Sequence, residues 1–262
     1  MHPHNPTKEY AGVTSVLNAR RVGFIETAKI NGVARYAARN RKDLAGKTQA
    51  FVYNLLKEQD EVLPDWAVAR AFGNQVHQVI ENIINGKPVG HLVRDVEGTA
   101  TYPVANDFTE WVPKYWDEFV RKHNVTVISC EQSVVSDKWG YGGSYDIMAE
   151  VDGKVQFVDA KSNAKGPHLW SVALQNKAYA MADYILDFET GTVAELPQAE
   201  GSMVLWLRPE GWNAWDLPFD NDVWRQFYAH LLLFFEGKRE GGTGDLEPLW
   251  PDQLVPPPKW GG

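Results

Sequence analysis

Apolar residues recur at helical spacing through the first half of the chain and at mixed spacing through the second. Residues 1–12 are polar and proline-bearing and read as a loose arm. Over 14–40 the apolar positions repeat at helical intervals with bases between them, which predicts two helical stretches, and 47–59 predicts another. The segment 64–84 predicts one long helix, because Pro64 suits a first helical turn and Asn85, Gly86 and Pro88 stop it. A helix over 103–124 is expected to be interrupted or restarted near Pro113. The pattern then changes. Residues 125–136 are rich in β-branched side chains and read as a strand. Two more strands, 141–151 and 154–162, flank Asp152-Gly153, a strong hairpin signal. A helix over 168–188, a strand pair at 202–208 and 212–217, and a last helix over 220–238 complete the reading. The order predicts an α/β fold with a central mixed β-sheet flanked by helices. It divides into an N-terminal arm with basic helices (1–63), a core (64–238) and a Gly/Pro-rich tail (239–262), in one compact domain overall.

The hairpin carries charge where a core strand should carry Val and Ile. A two-residue loop at Asp152-Gly153 sets Asp146 opposite Asp159 and Ser144 opposite Lys161, with Asp159 and Lys161 on one face. Opposed residues have Cβ atoms roughly 4.5–5.5 Å apart, where two carboxylates repel. Protonation of one acid, solvent screening or a divalent cation between them would relieve this. The plain alternative is an exposed hairpin whose charges face water, but Ile147, Phe157 and Val158 make these strands core-like. Elsewhere Gly73, His77 and Glu81 share one helix face, as do Gln175 and Tyr179, and Glu131 lies on the preceding strand.

Taken in order, the Gly73-to-His77 "GxxxH" helix, the strand glutamate, "GSYD" (143–146), "DAK" (159–161) and "QNKAY" (175–179) resemble the RecB-like branch of the PD-(D/E)XK nuclease superfamily, which includes phage exonucleases. The motifs span about half the chain. The resemblance implies a restriction-endonuclease-like core with an N-terminal helical elaboration. It implies one or two Mg²⁺ or Mn²⁺ ions held by Asp146, Asp159, the main-chain carbonyl of Ala160, His77 and Glu131. Lys161 would orient or deprotonate the attacking water, and Gln175 and Tyr179 would hold the DNA backbone or the nucleophile. Ser144 and Ser162 could donate to phosphate oxygens. CRISPR-associated members of the branch carry four cysteines for an iron–sulfur cluster; this chain has only Cys130, so no cluster is expected. It has no GxxxxGK[ST] segment, so no ATP motor is expected either.

Composition modifies this picture in one place. The net charge is −8, which argues against a nucleic-acid partner, but between Arg20 and Lys47 eight bases face two acids. Either this is a solvated helix face or it tracks phosphates through Arg20, Arg21, Arg35, Arg39 and Arg41. Trp139, Tyr141 and Trp170 could stack on unpaired bases or could simply pack. The absence of a run of eighteen apolar residues or of an apolar leader fits a cytoplasmic protein, in the host cytoplasm if phage-encoded. The expected function is therefore a metal-dependent, ATP-independent DNA exonuclease for recombination, repair or DNA processing. A structure-selective endonuclease and a catalytically silent DNA-binding module are the alternatives, with an acidic metal-binding structural protein further off. DNA is the expected partner; a second copy of the chain and a recombination protein are further candidates.

Overall fold

The computed structural model describes residues 10–18, 33–34, 36–52, 64–89, 108–163 and 165–240. Strands β2 (Thr126–Ser136), β3 (Tyr141–Val151) and β4 (Lys154–Lys161) form an antiparallel meander; β7 (Gly201–Arg208) then joins β4 in parallel and β8 (Gly211–Leu217) folds back on β7. With β5 (Tyr184–Leu186) and β6 (Val193–Ala194) the order across the open sheet is β6-β5-β2-β3-β4-β7-β8, and β1 (Ala11–Gly12) pairs in parallel with β3. The fold is thus α/β, a mixed eight-stranded sheet flanked by helices.

Both faces are covered. Helices α2 (Pro64–Ile84) and α3 (Phe108–Lys122) lay Phe72, Val76, Ile80, Val112 and Phe119 on one face, against Ile147, Val158 and Leu205. Helices α1 (Val13–Asn18), α4 (Leu169–Ala180) and α5 (Asn221–Glu240) cover the other, against Tyr145, Met148, Phe157 and Val204. Strand β4 is consequently buried without interruption from Gln156 to Ala160. A strand covered on both sides needs a nearly continuous apolar run, so Asp159 sits in the least favourable setting for a charge.

Helix α2 has the expected bounds, 64–84. Helix α3 runs unbroken through Pro113, which lies in its second turn and so forfeits a single hydrogen bond near the helix start. It ends where Asn124 turns left-handed (φ 46°) and the Val125 N–H donates to Val120 O, a Schellman-type stop. The turn at Asp152 (φ 51°) and Gly153 (φ 81°) has both central residues left-handed, as a two-residue hairpin loop requires.

Two further expectations are corrected. The helix placed over 168–188 stops at Ala180, and Tyr184–Leu186 becomes strand β5 on the edge of β2. Asp183 makes the switch: its N–H donates to Val135 O, and its carboxylate accepts from the Lys138 N–H and the Ser136 hydroxyl. The end of the N-terminal arm is not loose, since Ala11 and Gly12 pair with Tyr141 and Gly142. The basic helices are seen in part: 36–39, Arg41–Leu44 and 49–52 are helical, while most of 19–35, all of 53–59 and the tail beyond 240 lie outside the described residues. No described helix is long and apolar enough to cross a membrane.

Candidate metal centre

The hairpin is paired from Val151↔Lys154 to Ile147↔Val158, and there the ladder stops. Asp146 and Asp159 occupy the next rung of the expected register but do not pair. Strand β4 stays with β7 through Lys161↔Trp206, while the far end of β3 is flanked by β1 instead. The two strands splay apart, and the side chain of Asp146 bridges the fork by accepting the Ala160 N–H at 2.8 Å.

A second irregularity lies on the other side of β3. Cys130 pairs with Ile147 and Gln132 with Tyr145, so Glu131 and Asp146 form the rung the ladder omits. Glu131 has φ 51°, a left-handed conformation that costs a non-glycine residue about 1–3 kcal/mol and concentrates at functional sites. The kink re-aims both acids. Ile147 packs into the α2–α3 layer, and the adjacent Asp146 also meets α2, at His77.

Three sequence candidates converge here. His77 Nδ1 lies 3.7 Å from Glu131 Oε1 and 3.7 Å from Asp146 Oδ2, too far for hydrogen bonds. One ligand atom from each of the three lies within 4.8 Å of the others. An ion bound at about 2.0–2.6 Å could span atoms so spaced. Imidazole with two carboxylates suits Mn²⁺ or Mg²⁺ chemistry, and a cleft of about 10 Å³ between them, also lined by Ala160, Cys130 and Glu81, has room for an occupant the size of one water. The donor set therefore fits a divalent cation.

Asp159 and Lys161 stand beside this trio. Lys161 Nζ is 2.5 Å from Asp159 Oδ2 and 3.8 Å from Asp146 Oδ2, and it also donates to Ala160 O at 3.3 Å. Asp159 is 3% exposed, and its Oδ2 makes no hydrogen bond of regular geometry despite the ion pair. Burial drives its pKa up to about 6, with Lys161 opposing the rise. Burial alone would lower Lys161, but the carboxylates of Asp159 and Asp146 outweigh it and hold the ammonium above its ordinary value. His77 follows the same logic: burial pulls it down, and Asp146 with Glu131 carries it above the usual imidazole value. The cluster thus retains protons that a cation would displace. It also grades outward: side-chain exposure rises from Asp159 through Asp146 (16%) to Glu131 (40%).

Gln175 and Tyr179 approach from α4. The Gln175 amide donates to Tyr179 Oη at 2.7 Å. Tyr179 is buried and its ring packs against Tyr145 and Phe157. Burial, followed by the charges of Asp146 and Asp159, raises its pKa. Gly143 permits this approach, since a Cβ there would stand 2.8 Å from Tyr179 Cε1. Gly73 is different: a Cβ would meet Ser162 Oγ at 3.8 Å, an ordinary contact, so nothing there requires a glycine.

The remaining candidates scatter. The Ser144 hydroxyl is exposed and hydrogen-bonded to Ser133, while Ser162 is buried. Arg39 and Arg41 are exposed on the N-terminal segment; Arg20, Arg21 and Arg35 lie outside the described residues. Trp139 and Tyr141 are packed against Trp224 and α5, Tyr141 fully buried and Trp139 partly so, whereas Trp170 is 44% exposed. Glu81 and Cys130 line the cleft without an assigned role. The i, i+4 spacing from His77 already placed Glu81 on that helix face, but nothing in the sequence pointed to Cys130.

No family model matches the chain, and no curated protein matches it. A solved structure described as "Crystal structure of SSO0001" is similar over 85% of this chain and 75% of that chain, at 15% sequence identity and a TM-score of 0.35. Similarity at that level bears on neither family nor activity.

Proposed function

We propose that the protein is a divalent-metal-dependent deoxyribonuclease of the PD-(D/E)XK type, acting as an exonuclease without an ATP motor. The observation that carries this reading is the side-chain chain His77–Asp146–Lys161–Asp159, with Glu131 alongside, assembled at a fork in the sheet. A structural salt-bridge network would not require an open rung on both sides of Asp146 or a left-handed glutamate. The five ordered sequence motifs that resemble RecB-like nucleases supply the reaction class, and the resemblance to phage exonucleases favours digestion from ends.

His77, Glu131 and Asp146 would hold Mg²⁺ or Mn²⁺, with Asp159 and the Ala160 carbonyl completing the set. Such an ion neutralises charge on the scissile phosphate and acidifies bound water. The protein's own groups do the rest. The Ala160 N–H fixes the Asp146 carboxylate and so sets the orientation of the donors. Lys161, kept protonated by its two carboxylates, offers N–H donors to the non-bridging oxygens as charge builds on phosphorus. As a P–O bond to water forms and the bond to the leaving deoxyribose oxygen breaks, the water proton must leave; Glu131, the most exposed acid of the cluster, would accept it, and the leaving oxygen would take up a proton from solvent. Gln175 and Tyr179 brace the fork from behind.

Digestion of 5′- and 3′-labelled linear duplex, single strand and closed circle with Mn²⁺ tests the reading. Shortening of linear DNA with circles left intact is expected. Nicked or linearised circles would indicate an endonuclease, and full activity in excess EDTA would sink the metal mechanism.

A further inference from the structure

We propose that Trp215, backed by Trp206, is a stacking platform for an unpaired base of the DNA strand, two strand spacings from the reactive lysine; this rests on the nuclease reading above. Lys161 is the register partner of Trp206 in the parallel β4–β7 ladder. Partners in a parallel ladder share a face, and the alternating residues Leu205 and Leu207 are buried in the α2–α3 layer. Trp206 therefore stands on the same side of the sheet as Lys161 and Asp159. Its neighbour across β8 is Asn213, with Trp215 two residues on.

The two indoles form a pair, centroids 6.3 Å apart and inclined by 34°. Trp206 is held from behind: its Nε1–H donates to Asn163 O at 2.9 Å, and the Arg208 guanidinium lies 5.9 Å from its ring centre. Arg208 is itself anchored, donating to Ser162 O at 3.4 Å and facing Glu210 at 3.6 Å. Trp215 is the open member, 37% exposed on a strand at the edge of the sheet. Asp216 alternates to the other face of β8, and two cations, Lys161 and Arg208, each also paired with an acid, lie on the Trp206 side of the ring pair. An aromatic face bordered by cations is the chemistry of a strand whose bases are unstacked and whose backbone is anionic. Neither Trp139 nor Tyr141 can supply it, because both are packed against α5.

The test uses the full chain in Ca²⁺ and a fluorescein-labelled duplex with a short oligothymidine tail, compared with its blunt counterpart, by anisotropy. W215A should weaken binding of the tailed duplex about tenfold, with a much smaller loss on the blunt one. W215Y, which restores an aromatic face at the same place, should recover most of the loss. Equal losses on both substrates with an unchanged thermal midpoint, or W215Y behaving as W215A, would overturn the platform. If wild-type protein cleaves DNA with Mn²⁺ yet W215A binds both substrates normally, the platform fails and the nuclease reading stands. If wild-type neither binds nor cleaves DNA, both fail.

Discussion

The two ends of the β3–β4 hairpin are built from the same strands and behave as opposites. At the turn end every rung from Ile147↔Val158 to Val151↔Lys154 is closed, the buried side chains are apolar except Gln156, and a two-residue loop sets the register. At the fork end the rungs are open on both sides of β3, the side chains are charged, and one carboxylate bonds a main-chain N–H across the gap. The closed end holds strand identity and register so firmly that the open end can tolerate a buried acid and a left-handed glutamate. Stability and chemistry are thereby separated along one hairpin, and substitutions at its two ends should have opposite signatures.

The largest effect belongs to the open end. D159A should abolish Mn²⁺-supported cleavage, by at least about a hundredfold, in an end-labelled digestion assay. The same variant should keep its fold in the absence of metal, because it removes a carboxylate that burial already disfavours and leaves Asp146 to pair with Lys161. Loss of activity together with collapse of the fold would erase the distinction between the two ends.

The pH dependence sharpens it further. Asp159 and His77 both have folded pKa values above their ordinary ones. Their contribution to the stability of the metal-free protein is therefore fully present at low pH and is lost as pH rises, for Asp159 through about 6. Cation binding has the opposite sign, since it needs the carboxylate and the neutral imidazole. The rise in melting temperature given by Mn²⁺ should be large near pH 8 and shrink as pH falls through about 6. D159N should flatten that profile. A pH-independent Mn²⁺ shift would place the cation elsewhere.

The closed end was readable because its information is local. Asp-Gly between two β-branched runs demands one turn geometry, and the register follows from counting. Helix α2 was equally plain, with a proline at its start and Asn-Gly-Lys-Pro at its end. The fork was not readable. Counting sets Asp146 opposite Asp159, a rung that the fold leaves open; that β4 stays with β7 while β1 flanks β3 depends on residues far apart in sequence. The left-handed turn at Glu131 left no trace, because glutamate has no preference for it and only the surrounding pairing enforces it. The error at Tyr184–Leu186 has the same origin: helical spacing persists past Ala180, and only the open edge of β2 and the hydrogen bonds of Asp183 convert the segment to a strand. The five motif residues were found as types in an order, whereas the geometry that separates the His77–Glu131–Asp146 trio from the Lys161–Asp159 pair belongs to the fold.

At the closed end, G153A should spare cleavage and cost stability. With φ at 81°, an alanine there costs about 1–2 kcal/mol, or roughly 2–8 °C in melting temperature for a chain of this size. A loss of activity at temperatures where G153A remains folded would mean that the turn transmits to the fork, and the two ends would not be independent.

The smallest effect isolates a single charge pair. The Asp152 carboxylate lies 2.9 Å from His123 Nδ1, and the Asp152 N–H donates to His123 O, so the end of α3 is tied to the turn by one main-chain and one side-chain contact. D152N keeps the left-handed preference that the turn requires and keeps a hydrogen-bonding side chain; only the charge is removed. Because Asp152 is more than half exposed, the change should lie within about 0.2–1 kcal/mol. Under conditions where the imidazole is protonated, that difference should fade in high salt, where exposed pairs are screened. Denaturant midpoints for wild type and D152N at low and high salt measure this directly. A larger, salt-insensitive loss would show that the turn depends on the aspartate for its shape as well as its charge, and the register of the hairpin would then rest on more than the Asp-Gly backbone.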